Sequence, residues 1–373
     1  MRTKTIRTDP SKGNHLERAI LVGVGTKDLP VDEIHQSLDE LSDLLRTAGG
    51  VVASRLIQRV DKVRSAMLLG SGKVEELKQM IEETEADLVV FDHELSPTQL
   101  RNLEAGLDCK VLDRTQLILD IFALHAVSRE GKLQVEMAQM QYMLPRLIGM
   151  GKALSRLGGG IGTRGPGETQ LEAQRRAARQ RMAQLRLVLQ KLETQRTLQR
   201  KKRLEGPIPI VSIVGYTNCG KSTLIRALSR DEEIYVQDAL FATLSPVSRR
   251  VFLDPKTQII LNDTVGFIRK LPHTIIQAFH ATLEEIRVSK LLIHLVDSSD
   301  PNLDKKISES QKVLTEIGAH EIPRILAFNK IDLIDHERRE HLQMAFPQSI
   351  QISALHKETL FPLTAQIMAH LKT

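Results

Sequence analysis

The sequence predicts an α/β protein in three parts: an N-terminal parallel α/β domain over 1–114, an antiparallel helical hairpin over 115–205, and a second α/β domain with a mostly parallel sheet over 206–373. Three observations carry that division. Short apolar runs alternate with helical stretches at both ends of the chain. Two heptad stripes flank a glycine-rich connector in the middle. A glycine-bounded turn at 215–222 joins an apolar run to a helix.

In the first part, residues 17–24, 51–57, 87–92 and 110–112 read as strands. Residues 31–47, 73–84 and 97–105 read as helices between them. Strands spaced by helices argue for a parallel sheet. Ligands of such sheets bind beyond the carboxyl ends of the strands, where Asp92-His93 and Asp113-Arg114 fall. Leu69-Gly70-Ser71-Gly72-Lys73 looks like half a phosphate loop, with a plain loop-to-helix turn as the competing reading.

In the second part, Leu133, Met137, Met140, Leu144 and Leu147 recur at steps of four and three. Ala178, Met182, Leu185, Leu189 and Leu192 do the same. Stripes of this kind on both sides of one connector predict a hairpin with a coiled-coil-like seam, and these side chains are core. The connector, 148–167, has eight glycines in twenty residues together with Lys152, Arg156 and Arg164. Glycine lets backbone approach phosphates closely, and the cations match their charge. From Arg146 to Arg203 there are fifteen Lys and Arg against three Glu, a local excess of +12 in a chain of net charge +6. The remainder is therefore acidic, about −6, and the basic block points to a polyanion. RNA is the expected partner, bound through backbone and shape because aromatic side chains for stacking are nearly absent. A merely solvated helix face is the alternative.

The third part opens on Gly215-Tyr216-Thr217-Asn218-Cys219-Gly220-Lys221-Ser222, which fits G-x-x-x-x-G-K-[ST] between an apolar strand at 208–214 and a helix at 222–228. Backbone N–H groups turned inward by the glycines cradle phosphates, Lys221 reaches the β/γ-phosphates, and the Ser222 hydroxyl ligates Mg²⁺. About a hundred residues on, Asn329-Lys330-Ile331-Asp332 ends another apolar strand. A carboxylate there accepts two hydrogen bonds from guanine N1–H and its amine, which adenine cannot offer, so the nucleotide is GTP. Ser353-Ala354-Leu355 supports the base from the other side. Between these ends, Asp263-Thr264-Val265-Gly266 supplies a carboxylate that holds Mg²⁺ through water and a Gly266 N–H for the γ-phosphate. Phe241-Ala242-Thr243-Leu244-Ser245 offers Thr243 as a second hydroxyl ligand. Lys221, Thr243 and Gly266 are the expected catalytic groups. Loops tied to the γ-phosphate order with GTP and relax after hydrolysis. Phe267 follows Gly266 where many related GTPases carry a glutamine that orients water. Phenylalanine cannot do so, and hydrolysis by the chain alone should be slow. Phe267 as a core contact is an equal reading. The third part is thus a P-loop GTPase domain.

Composition bounds the rest. No apolar stretch reaches the roughly 18–20 residues that span a bilayer, and the charged N-terminus has no apolar secretory core. Cys109 and Cys219 lie in separate parts, one inside the phosphate loop. This suits a reducing cytoplasm, with partial membrane association left open, and the chain is expected to be a monomer.

Taken together, the chain resembles the HflX family of translation-factor-related GTPases. The resemblance is carried by Phe91-Asp92-His93, Asp113-Arg114-Thr115 and Gly131-Lys132-Leu133-Gln134-Val135-Glu136. It continues through Gly159-Gly160-Ile161-Gly162, 164–170, the phosphate loop and Asp263-Thr264-Val265-Gly266-Phe267-Ile268-Arg269. It implies binding to the large ribosomal subunit, ribosome splitting or rescue under stress, stimulation of hydrolysis by the ribosome, and a hairpin tip aimed at the peptidyl-transferase centre. It also implies ATP binding in the N-terminal domain of some members, and K⁺ placed by an asparagine at the position of Asn218. Cys219 stands where alanine is common and adds an oxidisable thiol. Ser245 replaces an aspartate, and longer members carry a further domain where this chain stops at Thr373. The alternative is a GTP-dependent switch acting on another RNA or a protein.

Overall fold

Alternating apolar runs at the N-terminus become a four-stranded parallel sheet. The computed structural model describes residues 16–61, 66–147, 166–204, 208–229, 240–241, 248–269 and 286–372. The chain divides into two units, Met1–Leu124 with Leu133–Val188, and His125–Lys132 with Leu189–Thr373.

In the first unit, β1 (Arg18–Thr26), α1 (Val31–Thr47), β2 (Val51–Val60), α2 (Ser71–Thr84), β3 (Leu88–Phe91), α3 (Pro97–Leu107) and β4 (Lys110–Asp113) alternate. The strand order is β2-β1-β3-β4, every pair parallel. Central β1 reads as an unbroken apolar run because both faces are covered. Ile34 and Leu38 of α1 approach it at Gly23. Ile20 and Val22 pack with Leu77 of α2 and Leu103 of α3. Ser96 starts α3 with a capping box to Gln99, and Pro97 takes the first turn.

Then come α4 (Arg114–His125), α5 (Arg129–Leu147) and α6 (Pro166–Leu204). The sequence reading contained no helix at 114–125. Its Leu117-Ile118-Leu119-Asp120-Ile121-Phe122 run is buried all round, so it lacks the alternating polar face that marks a helix. On α6, Met182 and Leu185 are buried, while Ala178, Leu189 and Leu192 are half-buried, so the expected stripe is the inward face. Arg181 donates to both carboxylate oxygens of Glu136 at 2.8 and 2.9 Å, fastening α6 to α5. Helix α5 buries more than its stripe: Gln134, Val135, Ala138 and Tyr142 are also covered.

That second face explains the carboxyl ends of β3 and β4. Asp92 accepts from Ser37 Oγ (2.7 Å) and Arg114 Nη1 (2.8 Å), and Arg114 Nη2 meets Glu40. Asp113 accepts from the Leu95 and Gln116 backbone N–H groups and from Arg146 Nη2 of α5 at 3.2 Å. Arg146 lies 3.4 Å above the Tyr142 ring. Burial raises the Asp113 carboxyl above the ordinary range, and its backbone partners and Arg146 pull the other way. Asp92, Asp113 and Arg114, expected at a ligand crevice, are instead buried in ion pairs, Asp92 with Arg114 and Asp113 with Arg146. Carboxylates placed in low dielectric need such partners.

The second unit holds β5 (Ile210–Gly215), α7 (Lys221–Ser229), β6 (Ser248–Phe252), β7 (Gln258–Asp263), β8 (Leu291–Asp297), α8 (Leu303–Glu316), β9 (Arg324–Asn329), α9 (His336–Ala345), β10 (Ile350–Gln351) and α10 (Phe361–Lys372). The order is β10-β9-β8-β5-β7-β6, parallel except for the β6–β7 pair. One face packs Ile213, Leu261, Ile293 and Ile325 against Leu224 of α7 and Leu363 and Ile367 of α10. Strand β5 lies between β7 and β8, so the sequence order of the strands reverses beside it. A crevice opens beyond its carboxyl end, where Gly215, Asp263, Asp297 and Asn329 each close a strand.

Candidate functional site

The loop from Gly215 to Lys221 turns tightly beneath that crevice. Gly220 has φ +93°, and a Cβ there would lie 2.3 Å from Asn329 Nδ2, so only glycine fits. Asn218 takes the left-handed conformation (φ 60°) and is exposed, while Tyr216 and Thr217 are buried. Lys221 opens α7 with its ammonium buried inside the loop, donating to the carbonyls of Tyr216 (2.7 Å) and Gly215 (3.3 Å). A helix N-terminus and a buried ammonium at the end of a strand suit a phosphate.

Beside it, Ser222 Oγ donates to Asp263 Oδ2 at 2.8 Å. A hydroxyl and a carboxylate already in contact provide the hard oxygen ligands Mg²⁺ takes, so these residues fit that ion. Among the described residues no three His, Cys, Asp or Glu side chains cluster as a metal set. Thr264 Oγ1 donates to the Ile213 carbonyl at 2.6 Å, turning that side chain into the core rather than the crevice. Val265 is buried, and Gly266 lies against Thr217 and Lys221. Phe267 is 2% exposed in a cluster with Val214, Tyr216, Leu292 and Leu314. The core reading of this residue therefore holds.

The base-side loops assemble on Asn329. Its Nδ2 donates to the Cys219 carbonyl and its Oδ1 accepts from the Ala354 N–H, each at 2.8 Å. Lys330 (φ 62°) pairs with Asp297 at 2.7 Å. Ile331 N–H donates to the Ile352 carbonyl, and Asp332 stands exposed at the mouth. Ser353 and Ala354 are buried, and Leu355 is exposed beside them. Asp297 was missed by sequence reasoning, although a polar residue ending an apolar strand, as at Asp263 and Asn329, is the signal that marks it.

Phe241 is buried with φ 59°. Ala242, Thr243, Leu244 and Ser245 lie outside the described residues, as do Lys152, Arg156 and Arg164 of the connector. The Cys219 thiol is buried at the edge of the apolar core, with its sulfur 4.0 Å from the Lys221 ammonium. Burial raises it, with Lys221 opposing, so the expected oxidisable thiol is a covered and weakly acidic one. In the first unit, Lys73 pairs with Glu76 at 2.7 Å, and the Gly70 N–H donates to Gln58 Oε1 at 3.1 Å. No helix among the described residues is long and apolar enough to cross a membrane.

Comparison with known proteins agrees with this geometry. Three family models match in succession: a GTP-binding GTPase N-terminal region over 35–123, its middle region over 125–203, and a domain described as 50S ribosome-binding GTPase over 210–330. The GTPase HflX of Caldanaerobacter subterraneus subsp. tengcongensis is 52% identical over 319 residues, 86% of this chain and 73% of that protein. The GTPase HflX of Alkalihalophilus pseudofirmus is 46% identical over 97% of this chain and 84% of its own length. The chain belongs to the HflX family of GTPases. The Escherichia coli K12 member is 45% identical over 86% of the chain and 74% of that relative. A crystal structure of SsGBP with GDP superposes with a TM-score of 0.53 at 25% identity, covering 94% of this chain and 99% of that one. The chain is accordingly a GTP-binding, GTP-hydrolysing enzyme.

Proposed function

We propose that this HflX-family GTPase associates with the large ribosomal subunit and splits or rescues stalled ribosomes under stress. The observation that carries the reading is α6. It has 39 residues, roughly 60 Å of helix, and exposed Arg176, Arg179, Arg186 and Lys191 along its length. A basic rod of that length attached to a nucleotide switch suits ribosomal RNA, where phosphate contacts dominate affinity. The matched 50S ribosome-binding description supports the same partner. Residues 115–205 act as the finger and Lys152, Arg156 and Arg164 as its tip contacts, between an N-terminal domain at 1–114 and a GTPase domain at 206–373.

In the GTPase domain, the Gly215–Ser222 backbone and Lys221 hold the phosphates, and Asp332 reads guanine while Lys330 covers it. Ser222, Thr243 and, through water, Asp263 hold Mg²⁺, which neutralises phosphate charge when bound. Asn218 places K⁺ beside the phosphates. Gly266 N–H contacts the γ-phosphate. Phe267, retracted into the core, orients no water, so the chain alone hydrolyses GTP slowly and the ribosome supplies the missing stimulation. The protein acts as a cytoplasmic monomer, and Leu69–Lys73 is an ATP contact whose loss on Lys73→Ala tests it.

Co-sedimentation with purified large subunits, in a GTP analogue and in GDP, tests the function. Binding in the analogue state that is lost on deleting 149–165 supports it. Equal binding in both states, or none, overturns it and favours a switch on another RNA or protein.

A further inference from the structure

The loop after β7 is zipped onto the phosphate loop. Phe267 N–H donates to the Gly215 carbonyl at 3.0 Å and Thr217 N–H to the Phe267 carbonyl at 2.8 Å, a parallel bridge between Tyr216 and Phe267. A Cβ built on Gly266 would fall 2.8 Å from Thr217 Cα and 2.9 Å from Lys221 Nζ. Gly266 therefore lies directly against the Lys221 ammonium, the group that meets the terminal phosphate in the GTP cycle proposed above. Two residues beyond the bridge, Arg269 Nε donates to Glu309 Oε1 of α8 at 3.1 Å. The other oxygen, Oε2, accepts from the Tyr216 hydroxyl at 3.4 Å. Three residues earlier on α8, the Lys306 ammonium stands 4.6 Å from the centre of the Tyr216 ring. One carboxylate thus grips both edges of the zipper, the phosphate loop through Tyr216 and the Asp263–Arg269 loop through Arg269.

We propose that Glu309 is a positioning residue that latches the Asp263–Arg269 loop over Lys221, so that the latched form accepts GDP and a third phosphate must open it. The inference rests on the GTP cycle proposed above and adds the group that sets its bias. A ligand shifts a two-state element only by its differential affinity for the two states, and the latch supplies that difference against GTP. The Arg269–Glu309 pair is partly buried, with side chains 16% and 27% exposed. Screening is incomplete there, and loss of the pair should change the ratio of GTP to GDP affinity by about fivefold.

The test uses the full chain with a fluorescent GDP and a non-hydrolysable GTP analogue. Glu309→Gln and Arg269→Gln should each tighten the analogue about fivefold relative to GDP. The double variant should do no more than either alone, and the exchange Glu309→Arg with Arg269→Glu should restore the native ratio. Both affinities falling together, or a ratio unchanged in folded variants, overturns the latch. Failure of the native chain to bind either guanine nucleotide would instead overturn the nucleotide reading beneath it. Should Glu309→Gln not fold, Arg269→Gln reads the same ratio.

Discussion

Asn329 Nδ2 donates to the Cys219 carbonyl oxygen at 2.8 Å, fastening the base-side loop to the phosphate loop across 110 residues of sequence. Its Oδ1 takes the Ala354 N–H at the same distance. Asn329→Ala would leave a buried carbonyl and a buried N–H unpaired, at a cost of about 1–3 kcal/mol each. Affinity for GDP should drop at least about tenfold, read by titration with a fluorescent analogue. Asn329→Asp keeps the acceptor but not the donor and should fall between the two.

Asp332 is exposed at the crevice mouth, free to face a base. Asp332→Asn exchanges an acceptor for a donor opposite the guanine amine. GTP affinity should fall by about 100-fold or more. Xanthine carries a carbonyl where guanine carries that amine, so xanthosine triphosphate should become the preferred ligand in a competition assay. Retained preference for GTP would remove Asp332 from base recognition.

Phe267 is buried among Val214, Tyr216, Leu292 and Leu314, with its backbone in the zipper. Restoring the glutamine of many related GTPases therefore should not create a fast enzyme. Phe267→Gln places an amide in an apolar cluster at a cost of about 2–4 kcal/mol. Single-turnover hydrolysis of the purified variant should stay at or below the native rate, with a lower melting temperature. A rise of tenfold or more would mean that the side chain reaches the phosphates.

Local pattern carried much of this architecture. Strands β1 to β4 and the helices between them end within about three residues of where apolar runs and turn residues place them. The phosphate loop and Asn329–Asp332 were legible because their chemistry is local. What escaped were pairings between distant residues. The second buried face of α5 exists because Arg146 and Tyr142 reach Asp113, some thirty residues upstream. Helix α4 hid because a segment buried all round loses its period. Arg269 and Glu309 are forty residues apart, so no window of sequence shows them meeting.

The last prediction concerns Asp120 on α4, which is 2% exposed and accepts from Gln116 Nε2 at 3.0 Å. Burial pushes its carboxyl up to about 7 from an ordinary value of 3.8, opposed by the Gln116 bond. In the folded state the proton is thus held to about pH 7, whereas the unfolded chain releases it near pH 4. Between those values the folded state binds more protons, and stability falls as pH rises. The contribution is fully present below about pH 4 and lost by about pH 7, on the order of 4 kcal/mol across the window. Asn keeps the acceptor for Gln116 and never ionises. Asp120→Asn should therefore be nearly neutral at pH 3.5 and clearly stabilising at pH 8, measured as the denaturant midpoint of the N-terminal unit in the full chain. Parallel stability–pH curves for the two proteins would show that Asp120 is not the titrating group.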